Sequence, residues 1–347
     1  MYELLRTNPF LRITNKFDIV DIVAKETYDL SDLRTIPFLD YMSVWRTHSE
    51  ACDQLCTLLG ISADEAEGLL SDFVDDTLLI QPESRYDVLL EQAREWVASG
   101  DREEVDYYLT ISDIMQDTRT SPGMLWIKQA WEGEEIPDRY KTYESAEIVS
   151  LPEPETFETL DHEGEGLFPS PPDRPADVLT KRELSELLYL TFGETGKIVV
   201  PEITQFVKKT SPSGGARHPT EAYVAVRDVD GVPSGLYHYS VKEHDLELLS
   251  RVDFDRLGKY VPMAADNDVK VLLLCGLRVE RNMMKYKFPK CYSVCTQDTG
   301  HVLQTFRLVS TTMGHRCDPI FGVDPSIHEL FDFGHYEEPI LCGAMVR

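Results

Sequence analysis

The stretch KTSPSGGARHPTEAYVAV, at 209–226, decides how the C-terminal part of the chain folds. Adjacent Gly214 and Gly215 let the backbone approach a ligand closely, and Ser211 and Ser213 supply short side-chain donors. The β-prone run EAYVAV that follows predicts a strand. The segment therefore predicts a loop that leads into a strand and directs amides and hydroxyls at a polar ligand. An ordinary turn would explain the same residues, and their spacing fits neither a Walker loop nor a GxGxxG motif.

On both sides of this stretch, apolar patterns predict further helices and strands. KRELSELLYLTFG predicts a helix before the loop, and a second helix is expected from about Asp298 through DTGHVLQTFRLVSTTMG. Strands are predicted from the runs GLYHYS, DLELLS, VKVLLLCGL and EPILCGAMV. Helices and strands mixed around one sheet indicate the α+β class.

Several of these motifs occur together in one known family. SPSGGARHPTEAYV, followed by GLYHYSVKEHDLELL, resembles the SagB-type dehydrogenases, the peptide-modifying branch of the nitroreductase-like flavoproteins. KYKFPKCYSVCTQDTGHVLQTFRLVSTTMG and PIFGVD then follow in the family's order and at its spacing. Upstream, PDRYKTYESAEIVSLPEP is similar to the family's first segment, so the resemblance covers roughly 135–347.

The resemblance implies a nitroreductase-like FMN fold with a mixed sheet flanked by helices, and a homodimer whose active sites lie at the subunit interface. It places five residues on the flavin-binding loop: Ser211, Pro212, Ser213, Gly214 and Gly215. It also places Pro319, Phe321 and Gly322 where backbone amides reach the N5/O4 edge of the flavin. Amides at that edge stabilise charge on the reduced ring. Without the neighbouring motifs, PIFGVD would indicate only a strand-to-turn connector.

The resemblance further implies a catalytic pair, because Lys285 and Tyr286 match the Lys-Tyr pair of azoline-oxidising members. Oxidising an azoline to an azole removes a carbon-bound proton and transfers a hydride to the flavin, so the reaction needs a base. A lysine that is partly desolvated beside a flavin has a lowered pKa, and a tyrosine hydroxyl can relay the proton. In isolation, the same two residues would indicate a solvated surface pair.

Two departures from the family pattern concern the phosphate and the substrate. The Arg-Ser-x-Arg element that usually grips the FMN phosphate is replaced by PPDRPADVLTKRELSELL. Phosphate binding is then expected from basic residues in and around the domain: Arg174, Lys181, Arg182, Lys208 and Lys209. Weak FMN binding is the alternative. After the catalytic pair, the usual Arg-x-Tyr-Arg is replaced by KCYS at 290–293, which leaves the substrate open.

The first 80 residues predict a winged-helix-like region. Ser62 and Glu65 have the spacing of a capping box, and the apolar positions from Ala66 to Phe73 predict the helix behind it. With IPFLDYMSVWRTHSEACDQLCTLLG before it and LLIQP after it, the order becomes helix, turn, helix and strand. Because 1–80 carries 15 acidic and 6 basic residues, we expect docking or peptide recognition and not DNA reading. A structural cap on the next domain is the alternative.

The length and the net charge of the chain limit its possible domain organisation and its possible partners. The 347 residues predict a docking region over 1–80, a helical segment and connector over 81–165, and an FMN-binding domain over 166–347. The formal net charge of −27 excludes nucleic-acid binding through phosphate neutralisation and disfavours anionic membranes. No signal peptide and no membrane-spanning segment are predicted, and seven cysteines are an odd number that indicates no disulfide framework. A cytoplasmic protein is therefore expected.

The remaining cysteines and histidines give weaker indications. Two cysteine pairs lie four residues apart: Cys52 with Cys56, and Cys291 with Cys295. Two thiols without a second Cys or His pair make no tetrahedral zinc site, so no metal is expected. His218 and His301 lie inside the matched motifs, where they either contact the flavin or substrate or serve in packing and capping.

Three functions are consistent with these features. The leading hypothesis is an FMN-dependent oxidoreductase that modifies a ribosomally synthesised peptide, most simply by oxidising thiazoline or oxazoline to thiazole or oxazole. Its N-terminal region would hold the precursor peptide or a cyclodehydratase partner. The second hypothesis is an FMN-dependent reductase that uses NAD(P)H on a dehydroamino acid or another activated alkene. The third is a non-catalytic scaffold of a peptide-modification complex that no longer binds FMN tightly.

Overall fold

The computed structural model describes residues 3–14, 18–24, 26–29, 32–94, 102–112, 137–154, 179–200, 204–284 and 290–347. The chain forms two compact units, Met1–Met115 and Gln116–Arg347. Among the described residues, no helix combines the length and the apolar character needed to cross a bilayer.

The N-terminal unit combines short strands with amphipathic helices. Its strands are β1 Leu4–Thr7, β2 Leu11–Ile13, β3 Ile19–Asp21, β4 Glu26–Tyr28, β5 Arg46–Thr47 and β6 Leu79–Ile80. Its helices are α1 Thr35–Tyr41, α2 His48–Leu59, α3 Ala63–Asp75, α4 Arg85–Gln92 and α5 Arg102–Ser112. The strands form two antiparallel sheets, one in the order β5–β1–β6 and the other in the order β2–β3–β4.

The helix, turn, helix and strand expected in this unit correspond to α2, α3 and β6. Both helices begin at a capping box, formed by Thr47 with Glu50 for α2 and by Ser62 with Glu65 for α3. At α3, the Ser62 N–H donates to Glu65 Oε2 over 2.8 Å, and the Glu65 N–H donates to Ser62 Oγ over 3.4 Å. The capping box predicted from the sequence is confirmed.

Ser62→Ala is expected to lower the free energy of unfolding by about 1 kcal/mol, because the first turn of α3 then loses its side-chain acceptor. The matched control is Ser71→Ala, an exposed position inside the same helix, where no cap is lost. Urea unfolding of both variants, followed by circular dichroism, measures the difference. If both variants unfold at the same urea concentration, the cap contributes no stability.

The C-terminal unit contains the longer strands and the longest described helix. Its strands are β7 Glu147–Ser150, β8 Leu179–Thr180, β9 Glu194–Val200, β10 Thr204–Lys209, β11 Thr220–Val226, β12 Val229–Asp230, β13 Gly235–Ser240, β14 Asp245–Ser250, β15 Val271–Leu277, β16 Cys317–Ile320 and β17 Ile340–Val346. Its helices are α6 Lys181–Phe192, α7 Phe254–Leu257, α8 Glu280–Met283 and α9 Lys290–Thr312. Short 3₁₀ turns cover Gly214–Ala216, Pro262–Ala265 and Pro325–Leu330.

The main sheet formed by the described residues has seven strands in the order β16–β17–β15–β11–β13–β14–β7. Each of its pairings is antiparallel. The predicted α+β class is confirmed, but the expected mixed sheet is corrected to an antiparallel one. For two of the six pairings the reason is local, since the short connections from β11 to β13 and from β13 to β14 suit antiparallel neighbours. β9 and β10 form a separate antiparallel hairpin.

β11 is the central strand, and all seven of its residues are buried. On one face, Val224 shares a core with Leu188 of α6 and Phe306 of α9. On the other face, Tyr223 shares a core with Phe254 of α7. Coverage on both faces explains why the strand sequence is a nearly continuous apolar run. It also places the start of β11, and the loop before it, next to α6 and α9.

The described part of helix α9 already includes Lys290, well before the predicted start near Asp298. An acidic residue ahead of an apolar period is typical of a helix N-terminus, which is why the sequence indicated a start there. Asp298 instead lies inside the helix, where it is 3% exposed and accepts hydrogen bonds from Ser213 and Gly214. The predicted start was wrong because this carboxylate holds a distant loop and does not cap its own helix.

Candidate functional site

One buried carboxylate holds the loop before β11 against α9. Ser213 Oγ donates to Asp298 Oδ2 over 2.5 Å, and the Gly214 N–H donates to Asp298 Oδ1 over 2.9 Å. The His218 N–H in turn donates to Ser213 Oγ over 2.9 Å. Burial raises the pKa of Asp298, and the Ser213 and Gly214 donors act in the opposite direction. Asp298 therefore holds the loop at Ser213 and Gly214, and Ser213 in turn holds the backbone of His218.

The two serine hydroxyls of the loop are bonded within the protein. Ser211 is buried, and its Oγ donates to Thr191 O at the end of α6 over 2.6 Å. Ser213 is held by Asp298, as described above. The two hydroxyls attach the loop to the two flanking helices, and the flavin contact expected of Ser211 and Ser213 stays a prediction.

Gly214 packs closely against α9, whereas Pro212 and Gly215 lie on the surface of the loop. An added Cβ on Gly214 would lie 2.8 Å from Val294 Cγ1, so only a glycine lets the loop approach α9 this closely. Gly215 has a φ of 67°, in the left-handed region that glycine adopts most readily. Gly215 and Pro212 are both exposed. The surface that the loop offers to a ligand is therefore formed by Pro212 and the Gly215 backbone.

Beside this loop lies an open pocket. Among its described lining residues, four are cationic and none is acidic: Arg139, Lys209, Arg217 and Arg281. The other lining residues are Pro137, Phe206, Val207, Ala216, His218 and Met284. We call this the cationic pocket. A cluster of guanidinium and ammonium groups in one pocket wall favours the binding of phosphate or another anion.

The guanidinium of Arg281 is fixed in the wall of the cationic pocket. Its Nε donates to Asp138 O over 3.0 Å, and its Nη1 donates to His218 O over 2.9 Å. Its Nη2 forms an ion pair with the buried carboxylate of Glu221. With its side chain only 4% exposed, Arg281 is positioned before any ligand arrives.

Two titratable groups of the loop, Lys209 and His218, line both the cationic pocket and a second, smaller pocket. Burial lowers the pKa of Lys209 to about 8; Glu221 opposes this shift, and Arg281 adds to it. Burial and the charge of Lys209 lower the pKa of His218 to about 3. At neutral pH the pocket therefore has a charged Lys209 beside a neutral His218 imidazole.

The second flavin-contact motif lies away from the cationic pocket. Pro319 belongs to β16, an edge strand three positions from β11 in the sheet, which corresponds to about 14 Å. Phe321 follows β16 with 78% of its surface exposed, and Gly322 comes next. None of the three is among the described residues that line the pocket. A ligand that touched both motifs would have to bridge this distance.

Some predicted site residues lie outside the described part of the chain: Lys285, Tyr286 and Arg174. Their roles stay predictions. Of the other phosphate candidates, Lys209 lines the cationic pocket, whereas Lys208 is exposed on β10. Lys181 and Arg182 lie in the first turn of α6 and are not among the described pocket residues.

The remaining candidates from the sequence have no shared site. His301 is half-exposed on α9, with Nδ1 3.8 Å from Asp298 Oδ1. All seven cysteines are free. Cys291 and Cys295 are buried in α9, whereas Cys52 and Cys56 are half-buried in α2.

Sequence reasoning missed three of the four pocket cations: Arg139, Arg217 and Arg281. Arg217 lies inside the quoted SPSGGARHP motif, and Arg139 lies inside PDRYKTYES, which matched the family. Basic residues within matched motifs were therefore the available signal. Arg281 had no such signal, because only the pairing of β15 with β11 brings its segment to the loop.

Comparisons with known proteins show a resemblance of the chain to a nitroreductase-type protein and to a trifolitoxin-processing protein. No protein-family model matches the chain. The trifolitoxin-processing protein TfxB of Rhizobium leguminosarum bv. trifolii is 29% identical over 167 residues, which cover 46% of this chain and 43% of TfxB. A protein of Methanocaldococcus jannaschii classed as a nitroreductase is 31% identical over 141 residues, which cover 39% of this chain and 65% of that protein.

Among solved structures, a protein of Anabaena variabilis classed as a nitroreductase aligns with a TM-score of 0.49 and 20% identity, over 61% of this chain and 41% of that one. The chain spans less than two thirds of the length of the curated relatives that it matches. The resemblance predicted from the motifs is confirmed, since the relatives include both a nitroreductase-type protein and a protein that processes trifolitoxin.

Proposed function

We propose that the chain is an FMN-dependent oxidoreductase that modifies a ribosomally synthesised peptide, most simply by oxidising a thiazoline or oxazoline to the azole. The observation that carries the proposal is the cationic pocket beside the SPSGG loop. The two relatives support it, since one is classed as a nitroreductase and the other processes trifolitoxin.

The donor set of the cationic pocket fits the phosphate end of FMN. Guanidinium groups bind phosphate oxygens through paired N–H donors, and the lining offers Arg139, Arg217 and Arg281 for this purpose. Lys209 adds a point charge, and the neutral His218 adds none. When bound, FMN supplies a ring that accepts two electrons. In this proposal, the exposed Pro212 and Gly215 form the loop surface that faces the ring.

The chemical roles of the proposed catalytic pair follow from the reaction. Converting an azoline to an azole removes two hydrogens, one as a proton and one with its electron pair. In our proposal Lys285 takes the carbon-bound proton, and the Tyr286 hydroxyl relays it to solvent. Both assignments rest on the match of KYKFPKCYS to the family motif.

We also propose that the chain is a homodimer that receives a precursor peptide, with the N-terminal unit docking the peptide or a cyclodehydratase. Phe321 supports a subunit contact, because a phenyl ring with 78% of its surface exposed loses apolar exposure when a second copy covers it. Seven free cysteines support a reducing, cytoplasmic compartment.

The purified protein is expected to be yellow and to release FMN, and not FAD, on denaturation. The reason is that the cationic pocket provides charge for one phosphate group beside the loop that faces the ring. Visible absorption of the native protein and chromatography of the released flavin measure this. A colourless protein that takes up no FMN on reconstitution would contradict the proposal and favour the scaffold function.

A further inference from the structure

A row of four buried charged side chains runs through the sheet to the cationic pocket. Glu247 of β14, His238 of β13 and Glu221 of β11 lie on neighbouring strands, and Arg281 continues the row into the pocket wall. His238 Nδ1 is 2.7 Å from Glu247 Oε2, and His238 Nε2 is 3.2 Å from Glu221 Oε2. Glu221 Oε1 pairs with Arg281. All four side chains are at most 6% exposed.

The geometry favours a protonated His238. Each of its two ring nitrogens faces a carboxylate oxygen, and an ionised carboxylate only accepts hydrogen bonds. A neutral imidazole has one N–H, so its other nitrogen would direct a lone pair at a carboxylate. Burial on its own lowers the pKa of His238, but the hydrogen bonds to Glu221 and Glu247 outweigh burial, and the pKa is raised.

Other groups around His238 do not replace either partner. The rings of Tyr143 and Tyr223 lie 5.3 Å and 5.4 Å from the imidazole, centroid to centroid. The Tyr223 hydroxyl accepts a hydrogen bond from Lys141 and donates one to Glu338, and these two residues form an ion pair with each other. The charges of Lys141 and Glu338 offset each other, so Glu221 and Glu247 set the protonation state of His238.

The charge of His238 affects what Arg281 offers to the pocket. With the imidazolium present, the two acids of the row are balanced by two cations. Without that proton, the row has a net charge of one negative unit, and Glu221 opposes the positive field of Arg281. In a poorly hydrated interior, such a change acts over distances well beyond hydrogen-bond contact.

We propose that His238 and Glu247 control anion binding in the cationic pocket as positioning residues: the imidazolium offsets Glu221, so Arg281 acts on the ligand with its full charge. The identity of the ligand as FMN rests on the function proposed above. The control itself requires only an anion in the pocket. Neither His238 nor Glu247 is among the described residues that line the pocket.

Lys209 has to be separated from this effect, because it lines the pocket and its own charge is lost as the pH rises through about 8. The Lys209→Met variant removes that titration and keeps an apolar stem. FMN affinity, measured by quenching of flavin fluorescence between about pH 6 and about pH 9.5, is then compared in Lys209→Met and in Lys209→Met/Glu247→Gln.

At the lowest pH, Lys209→Met/Glu247→Gln is expected to bind FMN at least as tightly as Lys209→Met, because Glu247→Gln also removes one negative charge from the row. As the pH rises, affinity should fall about tenfold, the scale of one charge lost nearby. The midpoint should be at least about one pH unit lower with Glu247→Gln, which removes one of two carboxylates that hold the proton. Equal midpoints, or pH-independent binding in both proteins, would overturn the inference while leaving FMN binding intact.

A second measurement keeps the two proposals distinguishable. If the wild-type protein binds no FMN, the cofactor assignment fails, and inorganic phosphate binding in the same pH series tests the inference alone. The imidazole NMR signals of His238, assigned through loss in His238→Gln, report its protonation without any ligand. If Glu247→Gln does not fold, a wild-type His238 that titrates below its ordinary value of about 6.5 overturns the inference.

Discussion

Lys285→Ala is expected to lower the turnover of an azoline peptide by about 10²-fold or more, the usual scale for loss of a general base. Alanine leaves no group to take the carbon-bound proton, while a catalytic base need not contribute to cofactor affinity. FMN content and oligomeric state should therefore equal those of the wild-type protein. Steady-state kinetics measures the turnover, the visible spectrum measures the FMN content, and light scattering measures the oligomeric state.

The neighbouring residues provide matched controls. Lys287→Ala removes the same charge two positions away, outside the Lys-Tyr pair, and is expected to keep most of the wild-type turnover. Tyr286→Phe removes only a hydroxyl, so a rate loss there reports proton relay. Should Lys285→Ala and Lys287→Ala retain equal turnover, Lys285 is not the base, and the motif match concerns fold and flavin alone.

Stopped-flow absorbance separates the two enzymatic hypotheses. For a dehydrogenase, anaerobic mixing with the azoline peptide should bleach the flavin absorbance, and Lys285→Ala should slow that bleaching. For a reductase, NAD(P)H alone should bleach it, and the variant should affect only the later step with the alkene. Whether the azoline peptide or NAD(P)H bleaches the flavin therefore assigns the direction of electron flow.

The sequence was most informative where local pattern and tertiary environment agree. GLYHYS and DLELLS coincide with β13 and β14 as predicted, because each run is bounded by turn residues and lies inside the sheet. The capping box at Ser62 was equally readable, since all its partners lie within four residues. Such features depend on neighbours in the chain, which the sequence displays directly.

The residues of the site were harder to predict from the sequence, because strand pairing and helix packing bring together residues that lie far apart in the chain. Asp298 resembled a helix start, and only the packing of α9 on the loop shows that it binds Ser213 and Gly214. Arg139 and Arg281 reach the cationic pocket from segments on either side of the loop, about 70 residues away in each direction. The pairing of Glu221 with Arg281 has no local pattern at all. Spacing alone therefore could not predict the pocket's charge.

The ion pair of Glu221 with Arg281 leads to the second large expected effect. Arg281→Leu should lower the free energy of unfolding by about 3 kcal/mol, because Glu221 Oε1 would then lie buried without its cation. The matched control is Arg278→Leu, in which the partner Glu280 is 40% exposed and water can replace the lost contact. Arg278→Leu should lower the free energy of unfolding by at most about 1 kcal/mol.

The pH dependence of this deficit tests its cause. Burial raises the pKa of Glu221, but Arg281 and His238 outweigh burial and hold the pKa well below its ordinary value. A carboxyl with a depressed pKa contributes stability that is present above its unfolded-state pKa of about 4.3 and is lost as the pH falls toward the folded-state value. In Arg281→Leu the carboxyl regains a proton more easily, so the deficit should be largest at neutral pH and shrink below about pH 4. Urea unfolding at several pH values measures it, and a deficit independent of pH would assign the loss to packing and not to the buried charge.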